Sequence, residues 1–208
     1  MHVEIIAVTQ LPQGEGGPEA ILELAGRACY RSEPKGDPAR FIQARIREGH
    51  ESIVEHVSFT FDIHGISRAC SHQLVRHRIA SYSQESQRYV EMSAPEYVMP
   101  PSVANKPEAV AAWDQLMEQV GLTYRRLREL GVRKEDARFV LPNATATRLI
   151  VTMNCRSLRH LFSVRCEPAA QWEIRMLALE MLRQVYAVLP SVFGDLYDRF
   201  WGGAGAQA

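Results

Sequence analysis

The 208-residue chain carries 24 Lys and Arg against 24 Asp and Glu, so its formal net charge is zero. With 46% apolar and 23% charged residues it has the composition of an ordinary globular protein. Balanced charge argues against the broad basic footprint of a nucleic-acid or anionic-membrane binder. The length allows one large domain or two small ones, needing no metal or disulfide staple, and without a repeat or clear linker one domain, residues 1–208, is expected.

In chain order, Val3 to Thr9 reads as a short buried strand, and Gln13 to Pro18 as a Gly-rich turn. Glu19 to Cys29 has the apolar spacing of a helix. Asp37-Pro38 is a helix start, an N-cap followed by proline at the first helical position, and Gly49 is its stop. Val57, Phe59, Phe61 and Ile63 alternate with polar residues, which predicts a half-buried strand broken by Gly65. Ser67 is placed to cap a helix running to Val75. From Arg76 to Ser93 neither period holds. Pro95, Pro100, Pro101 and Pro107 mark a surface loop. Helices are then expected over Glu108–Leu130 and Lys134–Val140, a strand over Thr145–Thr152, and helices over Ser157–Val164 and Ala169–Leu189. Gly202 to Ala208 reads as a frayed tail. The fold class is α/β: a single helix-rich domain with a central mixed or antiparallel sheet.

The four cysteines, Cys29, Cys70, Cys155 and Cys166, lie far apart without a C-x-x-C pair, as expected for reduced thiols in a cytoplasmic protein. Met1-His2-Val3-Glu4 shows no basic region followed by an apolar run, so no secretory leader is expected. No apolar run approaches the length of a membrane span. Of the seven histidines, His50, His56, His64, His72 and His77 cluster in sequence, but their spacings are not those of a metal site. No metal is expected.

Only Lys35, Lys106 and Lys134 are lysines, leaving 21 of the 24 basic residues as arginine. Arg76-His77-Arg78 opens a run rich in hydroxyls and amides that closes on Arg88-Tyr89. Arginine forks beside small polar donors suit a phosphorylated planar ligand. The same composition also describes a salt-bridged surface loop. A nucleotide- or RNA-binding module and a metal-dependent hydrolase are the rival readings at this point.

Arg76-His77-Arg78, seven residues and then Ser86 resembles the R-H-R-x7-S signature of the flavin-dependent thymidylate synthases. Gly49-His50-Glu51-Ser52-Ile53-Val54-Glu55-His56 with Phe59-Thr60-Phe61 resembles that family's G-H-E-S/T-x-x-E-H-x-x-F-x-F block. Asn154-Cys155-Arg156-Ser157-Leu158 resembles its N-x-R-S-L, and Arg165 with Ala170-Gln171-Trp172-Glu173-Ile174 its R-x4-A-Q-W-E-I. The four blocks fall in the family's order between Gly49 and Ile174.

The resemblance implies reductive methylation of dUMP to dTMP, with methylenetetrahydrofolate as one-carbon donor and NADPH-reduced FAD as relay and reductant. It implies a homotetramer whose sites are shared between subunits. Ser52, Arg76, His77, Arg78, Gln84, Asn154, Arg156 and His160 match the family's FAD contacts. Gln73, Leu74, Val75, Arg76, Gln84, Glu85, Ser86, Gln87, Arg88, Arg138 and Arg165 match its dUMP contacts. Gln84 stands where some members have glutamate, and His160 where some have asparagine. The chain has no G-x-G-x-x-G, so a non-Rossmann flavin site is expected. No cysteine falls in the nucleotide loop, so activation of the pyrimidine is expected to be electrostatic, with Arg165 as the catalytic residue. Ser86 lacks an adjacent histidine or lysine base and reads as a ligand-binding hydroxyl.

Overall fold

The computed structural model describes residues 1–12, 16–34 and 36–202. Half of the Gly-rich turn and most of the C-terminal tail read from the sequence lie outside the described residues.

The fold is organised by a four-stranded sheet in the order β1-β2-β4-β3, antiparallel throughout. Its strands are β1 (His2–Val8), β2 (Ser58–Ser67), β3 (Ala80–Gln84) and β4 (Ala146–Asn154). Around them lie α1 (Gly17–Tyr30), α2 (Pro38–Arg47), α3 (Arg68–Leu74), α4 (Pro101–Ala104), α5 (Pro107–Glu129), α6 (Lys134–Ala137), α7 (Cys155–Arg165), α8 (Trp172–Val188) and α9 (Pro190–Trp201). Two 3₁₀ segments, Glu51–His56 and Arg138–Val140, complete the helical elements among the described residues.

Strand alternation sets the layers. Phe59, Phe61 and Ile63 on β2, and Leu149, Val151 and Met153 on β4, point into one buried cluster. Helices α1, α2, α7, α8 and α9 cover it with Leu22, Ile42, Leu158, Phe162, Leu177, Met181 and Phe193. Phe193 meets Phe59 and Phe162 edge-on, with ring centroids 6.2 and 5.8 Å apart. The opposite face is polar, with Asp62 hydrogen-bonded to Arg148 and Thr60 to Thr152. A smaller cluster of Met92, Tyr124 and Ala137 anchors α5 to the segment before it.

Two glycines have steric roles. Gly49, at φ +81°, ends α2 in a Schellman motif: its N–H bonds the Ile46 carbonyl and the His50 N–H bonds that of Arg45. Gly26 lets α1 approach α2, since a β-carbon there would stand 2.6 Å from the Phe41 ring.

The structure corrects the sequence reading in five places. Gly65 does not break β2, because a register shift between His64 and Ile66 absorbs it and pairing continues to Ser67. The aperiodic stretch after Arg76 contains β3, an edge strand whose polar residues conceal its alternation. The proline-rich loop contains the short helix α4. The helix expected from Ala169 starts at Trp172, where Gln171 caps it. Beyond Leu189 the chain re-enters helix as α9, with Pro190 at its first position.

Candidate active site

The site is built around the chain leaving α3. Ser67 caps that helix by accepting the Cys70 N–H at 3.0 Å. Past Val75, the N–H groups of Arg76 and His77 bond to the carbonyls of Gln73 and Leu74. Arg76 and Arg78 are exposed, whereas His77 between them is only 8% exposed. Tyr82 on β3 holds this turn, its hydroxyl lying 2.9 Å from the Leu74 carbonyl and 2.8 Å from that of His77. Burial pushes the Tyr82 phenol up to about 12, so it remains a donor. Ile79 has φ +62°, a strained value for a β-branched residue, and its carbonyl accepts the Ser157 hydroxyl at 3.1 Å. The arginine turn is therefore pinned from both β3 and α7.

The His77 ring meets the end of α7. The Arg165 Nε–H donates to His77 Nε2 at 3.0 Å, so that nitrogen carries a lone pair and the ring proton sits on Nδ1. Burial, and then the charges of Arg165 and His160, lower the His77 pKa to about 4. His160, one turn before Arg165, places its ring centroid 5.9 Å from that of His77. The terminal nitrogens of Arg165 make no other hydrogen bond among the described residues. The same holds for the whole guanidinium groups of Arg76 and Arg78.

A second group follows β3. Gln84 donates to Ser71 Oγ at 2.9 Å and to Thr147 Oγ1 at 3.3 Å. Arg68 donates to the Glu85 carbonyl, and burial followed by the nearby Arg138 charge lowers its pKa. Ser86 Oγ accepts the Arg88 N–H at 3.2 Å, and no imidazole or lysine among the described residues is bonded to it. Gln87 is buried. Arg88 pairs with the Glu135 carboxylate at 2.8 Å, and Arg138 bonds the Glu135 carbonyl, so one residue holds both arginines.

A third group lies at the start of α7. Asn154 caps that helix by accepting the Ser157 N–H at 2.8 Å. Arg156 pairs with Glu55 at 2.5 Å and Glu51 at 3.6 Å. Arg156 and His160 share a cavity of about 350 Å³.

The structure thus brings Arg165, His77 and His160 together, and Arg88 with Arg138. Gln73 and Val75 lie at the end of α3, where Gln73 contacts Gln171 at 3.5 Å. The Leu74 side chain lies in the core, with its carbonyl facing Tyr82. Ser52 is exposed in the 3₁₀ segment after α2. Sequence reasoning missed Tyr82 and Glu173. Glu173 lies inside a quoted block, and Tyr82 has no local signal. Among the described residues no group of three or more His, Cys, Asp or Glu side chains could hold a metal ion.

A family model described as thymidylate synthase complementing protein matches residues 10–191. The chain belongs to the flavin-dependent thymidylate synthases. It is 50% identical over 189 residues to the flavin-dependent thymidylate synthase of Geobacter sulfurreducens, covering 86% of this chain and 82% of that relative. It is 48% identical over 214 residues to that of Nitratidesulfovibrio vulgaris, covering 92% and 85%. It is 43% identical over 224 residues to that of Mycobacteroides abscessus, covering 94% and 89%. Membership of the flavin-dependent thymidylate synthases joins the four sequence blocks, which the fold arranges around α3, the start of α7 and the start of α8.

Proposed function

We propose that this chain makes dTMP from dUMP by reductive methylation, with methylenetetrahydrofolate as one-carbon donor, FAD as cofactor and NADPH as reductant. In this reading the chain is one domain of a cytoplasmic homotetramer whose sites are shared between subunits. The observation that carries the proposal is the Arg165–His77 contact, which leaves the terminal guanidinium nitrogens of Arg165 free.

The donor set suits a diphosphate-bearing flavin. Arg76 and Arg78 offer unpaired forks on an exposed turn, and such forks bind phosphate oxygens bidentately. Arg156 and His160 border the cavity at α7, which is at the small end of ligand pockets (roughly 300–1,000 Å³). A dinucleotide would overfill it, which favours a site completed by a second copy. Ser52, His77, Gln84 and Asn154 complete the set of FAD-contact residues. When bound, FAD supplies the redox chemistry that links NADPH oxidation to the methylation.

For dUMP, the polar set is Gln73, Arg76, Gln84, Glu85, Ser86, Gln87, Arg88 and Arg138, with Leu74 and Val75 shaping the edge. Ser86 acts as a ligand-binding hydroxyl, since the described residues give it no base. Arg165 faces the pyrimidine edge and stabilises negative charge as the ring ionises. His77, neutral at pH 7, holds the guanidinium without adding a second positive charge. The thiols of Cys70, Cys155 and Cys166 are buried and their pKa values pushed upward, first by burial, which makes them poor nucleophiles.

The test is direct. The purified protein should show flavin absorbance and form dTMP only when dUMP, methylenetetrahydrofolate and NADPH are all supplied. A flavin-free protein inactive after FAD addition would overturn the proposal.

A further inference from the structure

Glu173, in the first turn of α8, is 2% exposed, yet it makes no ion pair among the described residues. Its carboxylate instead takes two short hydrogen bonds from one residue. Oε1 accepts the Ser67 N–H at 2.6 Å, and Oε2 accepts the Ser67 hydroxyl at 2.5 Å. A buried carboxylate is retained at a cost unless its acceptors are filled, and charge-assisted bonds of this kind are the strong ones. Ser67 in turn accepts the Cys70 N–H, so a relay runs from Glu173 through Ser67 to the first turn of α3.

The far end of α3 is held from the same helix. Gln171 Oε1 caps α8 by accepting the N–H groups of Glu173 and Ile174, and also accepts the Gln73 amide at 3.5 Å. Two residues of one helix start therefore grip α3 at its cap and near its exit. Immediately after that exit come Arg76, His77 and Arg78, and His77 carries the contact to Arg165.

We propose that Glu173 is a positioning residue: through Ser67 it fixes α3, and thereby sets Gln73 and His77 in place for dUMP binding and for the Arg165 contact. The proposal rests on the assignment of this site to dUMP.

Glu173→Gln keeps the side-chain shape and removes the charge, and Ser67→Ala removes the relay hydroxyl. The two variants and their double mutant are compared with the parent by equilibrium dialysis of labelled dUMP, with flavin content and melting temperature on the same preparations. Each single variant should weaken dUMP binding by about tenfold at temperatures well below its melting point. The double mutant should be no weaker than the worse single, because both substitutions cut one relay. Ser67→Thr, which keeps a hydroxyl, should restore most of the affinity. Lowered melting temperatures with parental dUMP affinity in both single variants would reduce Glu173 to a structural part and overturn the proposal. If Glu173→Gln does not fold, the Ser67 pair decides the matter alone. A folded, flavin-loaded parent that binds no dUMP would overturn the underlying site assignment, and the proposal with it.

Discussion

The Nε of Arg165 and the Nε2 of His77 lie 3.0 Å apart, although the two residues are 88 positions apart in sequence. The contact spends one guanidinium N–H on orientation and leaves the two terminal nitrogens for a ligand. It also fixes the imidazole as neutral, because the nitrogen facing a donor must hold a lone pair. Arg165 ends α7, where a cation is further favoured by the negative end of the helix.

His77 should make stability depend on pH in a defined window. Its folded-state pKa of about 4 lies below the unfolded value near 6.5, so between the two the unfolded chain binds the extra proton. The contribution is present in full above about pH 6.5 and is lost as the pH falls through 4. His77→Gln keeps an acceptor for Arg165 but does not titrate. The stability difference between parent and variant, from urea denaturation, should move against the parent by about 2–3 kcal/mol between pH 7 and pH 4.5. A difference independent of pH would contradict the assignment.

Tyr82→Phe removes a hydroxyl serving the Leu74 and His77 carbonyls. The expected cost is about 1–2 kcal/mol in stability. It should be accompanied by weaker flavin retention, because the turn it holds carries Arg76 and Arg78. Denaturation and flavin content on one preparation check both.

Arg78→Ala should release FAD while leaving the fold intact, since Arg78 is exposed and its guanidinium has no partner among the described residues. Loss of a charge-assisted hydrogen bond is worth about 1.5–3 kcal/mol, more than tenfold in affinity. Titration of the apoprotein with FAD measures it.

Alanine at each cysteine in turn should keep dTMP formation within about tenfold, which corresponds to less than about 1.4 kcal/mol of barrier. Cys70, Cys155 and Cys166 are buried, and Cys29 is exposed on α1. A folded, flavin-loaded variant unable to methylate dUMP would reveal a thiol nucleophile.

What the sequence disclosed follows from where the signal is local. The Asp37 cap, the Gly49 stop and the β2 alternation each lie within a few residues, and each is found where expected. β3 was hidden because Ser81, Ser83 and Gln84 lie on an edge strand, where no apolar alternation is demanded. The four motif blocks flagged the candidate residues, but not that His77 bonds to Arg165 rather than only serving a ligand. Tyr82 and Glu173 bond to partners 5 to 106 positions away, and no periodicity reports such pairings.

Arg165→Ala is the decisive variant. Arg165→Ala is assayed for flavin content, for flavin reduction by NADPH and for dTMP formation with dUMP saturating, all on one preparation. Removing a single preorganised donor typically lowers turnover by ~10²–10³, about 2.7–4 kcal/mol. The predicted result is that loss in dTMP formation with parental flavin content and near-parental flavin reduction. Arg165→Lys should recover only part of the activity, because an ammonium keeps the charge but not the planar fork. A flavin-loaded Arg165→Ala protein that makes dTMP at the parent rate would contradict the account.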